Sequence, residues 1–324
     1  MARPFRFGYQ TYSASSGQEW RDKARRAEDL GYSCFFVADH YLGPGPALTA
    51  MRHPVQDVAA IPAMAVAAEV TDTIRIGARV MCIDYRNPVV LAKELATLDF
   101  FSDGRLEAGL GAGWLEGEYH SMGVPFDSAG TRIARLADVI KMIKVVMADG
   151  EADFVGDSGV RATEFEGLPK PVQKPHPPIM IGGGSPKVLR LAGAEADIVS
   201  FNFNNRAGVI GPDGVGSSTA EATAQKVEWV REGAGDRFDE IELEIGAYFT
   251  VVTDDAKTTA EGFAGMFGLS SDDVLEHPHA LIGTTDAIVD ELERRRELYG
   301  ISYVTVADRV AEAFAPVVER LSGK

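Results

Sequence analysis

Asp39 and His40 follow directly on a short apolar run, Cys34-Phe35-Phe36-Val37-Ala38. Such a run, bounded by a glycine on one side and rich in aromatic and β-branched residues, reads as a strand buried on both faces. Ligands of parallel α/β sheets and barrels sit at the carboxyl ends of the strands, which is where this pair falls. Histidine titrates near neutral pH and can give or take a proton there. The same two residues could also cap a loop and satisfy one hydrogen bond.

Two glycine-rich stretches fall at similar places. Gly109-Leu110-Gly111-Ala112-Gly113-Trp114 ends another apolar run. Trp114 occupies the third glycine position of a dinucleotide fingerprint, so that reading fails. Glycines here let a flat ligand approach the backbone, and Trp114 offers an aromatic wall; Gly109 and Gly111 could instead thin a crowded barrel interior. Ile179-Met180-Ile181-Gly182-Gly183-Gly184-Ser185-Pro186 runs from a strand into a helix whose N-cap is Ser185 and whose first residue is Pro186. Exposed amides and the positive end of a helix dipole make a phosphate cradle, to which Lys187 and Arg190 could add charge. The Lys-Ser/Thr ending of a nucleotide triphosphate loop is absent. Asn87 precedes Pro88 and is held extended, Arg86 could meet a ligand or solvent, and Met81 and Cys82 could line a flat ring or pack in the core. Glu116 and Glu118 follow the glycine strand and could reach the same mouth or serve as solvated charges.

The elements that would position these residues alternate regularly. Strands are expected over 6–10, 34–38, 74–81, 105–111, 179–181, 197–200, 241–249 and 302–306, with helices over 17–30, 55–70, 88–101, 131–147, 186–193, 219–232, 256–265, 284–299 and 310–321. Residues 41–51, 208–216 and 270–279 read as loop or irregular chain. Residues 149–177, rich in glycine and proline, read as an inserted hairpin plus an extended segment. Eight strand–helix units predict one α/β domain over 1–324, a (β/α)8 TIM barrel with an insertion at about 149–177.

The 324 residues carry 32 Lys and Arg against 48 Asp and Glu, a net charge of −16. That opposes nucleic-acid partners and anionic membranes, and leaves any phosphorylated ligand to local donors. No apolar run is long enough to span a bilayer, and Met1-Ala2-Arg3-Pro4 leads into a strand without a signal-peptide core. Cys34 and Cys82 read as reduced core residues, so the expectation is a cytoplasmic protein. The histidines show no metal-ligand spacing and no Gly-x-Ser-x-Gly elbow occurs; no metal is expected.

These stretches, in this order, resemble the luciferase-like monooxygenase superfamily, and within it the coenzyme F420-dependent oxidoreductases. The resemblance rests on Val37-Ala38-Asp39-His40, Asn87-Pro88 with Ala96-Thr97-Leu98-Asp99, and Ser102-Asp103-Gly104-Arg105 leading into the glycine strand and Trp114. It continues through Glu118-Tyr119, Gly123-Val124-Pro125-Phe126, Pro178 to Gly184 and Leu281-Ile282-Gly283-Thr284. It implies a barrel with a deazaflavin or flavin across the strand ends and a non-proline cis peptide near Val80, Met81 and Cys82. It further implies catalytic His40, with Asp39 fixing its tautomer, and cofactor contacts from Asp39, Met81, Cys82, Asn87, Ala112, Gly113, Trp114, Gly182, Gly183, Gly184 and Ser185. The sugar-phosphate dehydrogenases of the superfamily carry a carboxylate where Trp114 stands, which points to a larger, less polar small-molecule substrate. The expected cofactor is F420, with FMN and a separate reductase as the alternative, and the expected assembly is a homodimer.

Overall fold

The computed structural model describes residues 3–206, 208–209 and 211–324. Met1 and Ala2, from the N-terminal segment, and Ile210, within the loop expected at 208–216, lie outside the described residues.

Eight parallel strands close a barrel: β1 (Arg6–Thr11), β2 (Cys34–Val37), β3 (Arg75–Ala78), β4 (Leu106–Gly111), β5 (Ile179–Gly183), β6 (Ile198–Phe201), β7 (Glu242–Gly246) and β8 (Ile301–Ala307). Each pairs with the next, and β8 returns to β1 with Arg6 opposite Tyr303. The (β/α)8 architecture is therefore the one expected. Inside the barrel Phe36, Cys34, Met180, Ile198 and Tyr303 pack together. Phe36 takes room from its neighbours: a Cβ on Gly8 would stand 2.9 Å from its ring, and one on Gly77 likewise 2.9 Å. The larger core lies between the strands and the surrounding helices, where Phe7, Trp20, Phe35 and Phe314 are buried.

The third strand departs from expectation. It stops at Ala78, the Arg79–Val80 peptide is cis, and chain pairing with β4 resumes at Met81–Cys82. The main chains crowd here, since a Cβ on Gly109 would lie 1.8 Å from the carbonyl oxygen of Ala78. Gly109 thus serves strand packing and not a ligand.

Other boundaries shift for local reasons. Residues 41–51 contain a helix, Pro46–Met51, started by a proline at its first turn. The next helix starts only at Ala60 (Ala60–Glu69), because Gln56, upstream, folds back to donate to the carbonyls of Ala38 and Val58. A reciprocal Ser270–Asp273 capping box makes Ser271–Glu276 helical. The strand expected over 241–249 splits in two, and its second part, Phe249–Val252, pairs in parallel with Ala280–Gly283 outside the barrel. Within 208–216, Pro212–Gly216 forms one helical turn. The insertion is an antiparallel hairpin, Glu151–Val155 against Arg161–Glu166, followed by irregular chain. Among the described residues no helix is long and apolar enough to cross a membrane, and no group of three or more His, Cys, Asp or Glu is placed to hold a metal ion.

Candidate active site

A cavity of about 900 Å³ opens at the carboxyl ends of the strands. Asp39, His40, Met81, Cys82, Ala112, Gly113, Trp114 and Gly182 to Ser185 all line it. Asn87 does not: its Oδ1 accepts from the amides of Val89 and Val90 and caps the helix Pro88–Phe101. The polar side chain expected at the ligand is spent on a helix terminus.

Asp39 and His40 part company at the end of β2. Asp39, 2% exposed, accepts from both terminal guanidinium nitrogens of Arg86, at 2.7 and 2.8 Å, and from the amide of Cys82 at 3.0 Å. It thereby ties the end of β2 to the chain beyond β3, and Arg86 is neither solvated nor free for a ligand. The expected Asp39–His40 pairing is replaced by another. His40 Nδ1 lies 2.8 Å from Glu118 Oε2, and Glu118 also accepts from Tyr85 Oη at 2.9 Å and from the amide of Tyr41. Burial pushes the Glu118 carboxyl up, but the hydrogen bonds from His40, Tyr41 and Tyr85 outweigh it and hold it below the ordinary range. An ionised Glu118 fixes the proton on Nδ1 of His40 and leaves Nε2 for the cavity.

Aromatic rings surround that imidazole. The His53 ring lies 3.9 Å from His40, and Trp114 stands edge-on at 6.3 Å. Burial, reinforced by His40, lowers His53 to about 3, so it is neutral. Cys82 Sγ is 3.0 Å from Tyr119 Oη, and burial pushes its thiol up to about 12. Both cysteines are free and buried.

The glycine cradle combines packing with access. A Cβ on Gly183 would meet Val188 at 2.3 Å, and one on Gly184 the Asn202 carbonyl oxygen at 2.3 Å. The first contact brings the helix Pro186–Glu195 close behind β5, and the second brings the chain beyond β6 against the glycine turn. Ser185 sits at its N-cap but makes no capping hydrogen bond, which leaves the first-turn amides of the helix for a ligand. Arg190 pairs with Glu232 on the outside and adds no charge here.

A family model described as luciferase-like monooxygenase matches residues 1–261. The chain belongs to that family. Among relatives, the luciferase-like chain is 32% identical over 193 residues to an F420-dependent glucose-6-phosphate dehydrogenase of Amycolatopsis mediterranei, covering 57% of this chain and 55% of that one. It is 32% identical over 123 residues to an FMNH(2)-dependent dimethylsulfone monooxygenase of Pseudomonas putida, covering 38% and 34%. These matches span about a third to half of the relatives' own length. The solved coenzyme F420-dependent tetrahydromethanopterin reductase of Methanopyrus kandleri superposes with a TM-score of 0.76 at 19% identity, covering 98% of both chains, which shows the fold.

Several residues of this luciferase-like site are not marked by sequence pattern. Glu118 reads in the sequence as one of two carboxylates after the glycine strand and as part of the Glu118-Tyr119 stretch, with nothing to pair it with His40. Its burial follows from the short helix Glu116–Met122, where Glu118 and Tyr119 face inward while Glu116 points out. His53, Tyr12, Asn202 and Tyr248 come from loops beyond strand ends and carry no motif.

Proposed function

We propose that this protein is an oxidoreductase that exchanges hydride between coenzyme F420 and a small organic substrate. The observation that carries the reading is one cavity lined both by His40, with its Nδ1 bonded to an ionised Glu118, and by an uncapped helix N-terminus behind three glycines. The donor set suits the cofactor: main-chain amides for an anionic tail, and Trp114, Ala112 and buried Met81 for a planar ring. When bound, the deazaflavin would accept or deliver hydride at its C5. The protein's part is the proton and the geometry. His40 Nε2 gives or takes the proton that accompanies the hydride, while Glu118 holds the imidazole in one tautomer and offsets its charge when protonated. Asp39 holds Arg86 and the Met81–Cys82 strand, which shapes the wall against which the ring rests. The dehydrogenase relative, matched over more of the chain than the monooxygenase, supports F420 over FMN.

Equilibrium titration with F420 and with FMN tests the choice. F420 should bind at least about tenfold more tightly, and tight FMN with no F420 binding would replace this reading with a flavin monooxygenase served by a separate reductase.

A further inference from the structure

The groups assigned to the cofactor come from the ends of β2 to β5. The rest of the cavity wall, from β6, β7, β8 and β1, holds Asn202, Phe203, Tyr248 and Phe249, together with Arg206 and Arg309. Asn202 is held from three sides. Its amide donates to the Gly183 carbonyl at 2.9 Å. Its carbonyl accepts from the buried Lys226 ammonium at 2.7 Å. Its side-chain Oδ1 accepts from the Phe203 amide at 2.9 Å and from Tyr248 Oη at 3.1 Å. A main-chain N–H can only donate, so the oxygen of the Asn202 amide must face Phe203 and its NH2 must face away. That NH2 has no protein partner among the described residues.

The orientation is set from below. Glu244 accepts from Arg79 Nε at 2.9 Å, Arg79 Nη1 donates to Tyr248 Oη at 3.0 Å, and the phenol O–H donates in turn to Asn202 Oδ1. A chain of donors running one way from a buried ion pair polarises its last member. His279 stacks on the Tyr248 ring, 5.3 Å away at an interplanar angle of 10°, and keeps the phenol in place. The result is a preorganised donor amid Phe203, Tyr248 and Phe249.

We infer that Asn202 Nδ2 is the specificity-determining donor to a carbonyl oxygen of the substrate, and that the substrate is a carbonyl compound or the corresponding alcohol. The assignment of that oxygen to substrate rests on the hydride-transfer reading, in which the β2–β5 half is taken by cofactor.

Isosteric pairs test it in binding, without turnover. Cyclohexanone against methylenecyclohexane, and acetophenone against α-methylstyrene, are titrated into the cofactor-loaded protein by saturation-transfer NMR. In at least one pair the carbonyl member should bind at least about tenfold more tightly, the worth of one well-placed hydrogen bond. Asn202→Leu should bring that ratio to within about twofold, and Tyr248→Phe should lower it part-way by unlocking the amide. Asn202→Asp, which keeps the shape and replaces NH2 with an acceptor, should reject the ketones even where Asn202→Leu folds poorly. No preference in the unaltered protein, or a preference that survives Asn202→Leu, overturns the inference. So does a tenfold loss of F420 affinity in Asn202→Leu with the ratio unchanged, which would give the donor to the cofactor. Should FMN turn out to be the cofactor, the same ratios are read on the FMN-loaded protein, so the two proposals fail separately.

Discussion

On the β2–β5 side of the barrel mouth the ionised groups stand at the rim. Asp39 and Glu118 are each saturated by three or more donors, and Arg86 closes the set. On the β6–β1 side the buried Arg79–Glu244 pair supports Asn202 and Tyr248 at the cavity wall, which Arg79, Arg206 and Arg309 also line. The first arrangement suits a ligand of constant shape whose proton must be handled at one atom. The second offers a neutral oxygen a fixed N–H donor, held by a relay that starts at an ion pair already buried and paired. Main-chain amides and glycines build the first half; side chains on loops beyond β6, β7 and β8 build the second.

The deepest break in this contrast is expected at His40. His40→Ala should lower turnover by about two to four orders of magnitude, as for a lost acid–base group, while fluorescence titration still detects F420 binding. Turnover equal to the unaltered protein's would remove the proton-handling role from the β2–β5 half.

Glu118 and Asp39 then separate two duties within that half. Glu118→Gln removes the counter-charge of the imidazolium and the acceptor that fixes its tautomer, and turnover should fall about ten- to hundredfold. Asp39→Asn leaves the His40–Glu118 contact intact but strips Arg86 of its buried carboxylate, leaving Glu94 at 3.7 Å. It should cost about 2–4 kcal/mol of stability in denaturant unfolding, the scale of a broken buried pair, with turnover changed only a few-fold. The reverse pattern would restore Asp39 as the orienting group.

Legibility followed the same division. Backbone chemistry leaves marks in sequence: glycines at strand ends, proline and serine at a helix start, a strand stopping at two ionisable residues. Those marks located the barrel and most of the β2–β5 wall of the cavity. Partner choice leaves none. Asp39 and Glu118 differ only in which donor each reaches, and that depends on the Glu116–Met122 helix turning Glu118 inward and on Arg86 folding back from beyond β3. Asn87 misled because one residue type serves both helix capping and ligand binding. Gly109 misled because a ligand and a neighbouring strand demand the same missing Cβ. Asn202 and Tyr248 gain meaning only through a relay joining residues 79, 202, 244 and 248.

Gly113 measures how tightly the glycine wall is built. Its φ is +72°, and a Cβ there would fall 1.8 Å from Tyr119 Oη. Gly113→Ala should displace Tyr119 from Cys82 and Asp84, weakening F420 about tenfold and lowering stability by about 2 kcal/mol through backbone strain and the clash. Unchanged affinity would detach this wall from the cofactor.

The smallest effect expected compares the halves through the part-buried His53 and the buried His277 and His279. Burial, with His40 beside it, lowers His53 to about 3 against an ordinary 6.5. Burial also lowers His277 and His279 across the cavity. Between about pH 6.5 and 3 the unfolded chain binds a proton at residue 53 that the fold refuses, so stability falls as pH falls through that window. His53→Phe abolishes this uptake and should remove on the order of 2 kcal/mol of the acid-induced loss between pH 7 and 4, read as a shallower pH dependence of urea unfolding. His277→Phe should act in the same direction and reports the other half. If His53→Phe leaves the slope unchanged, His53 is protonated in the fold and stands as a second proton carrier against His40.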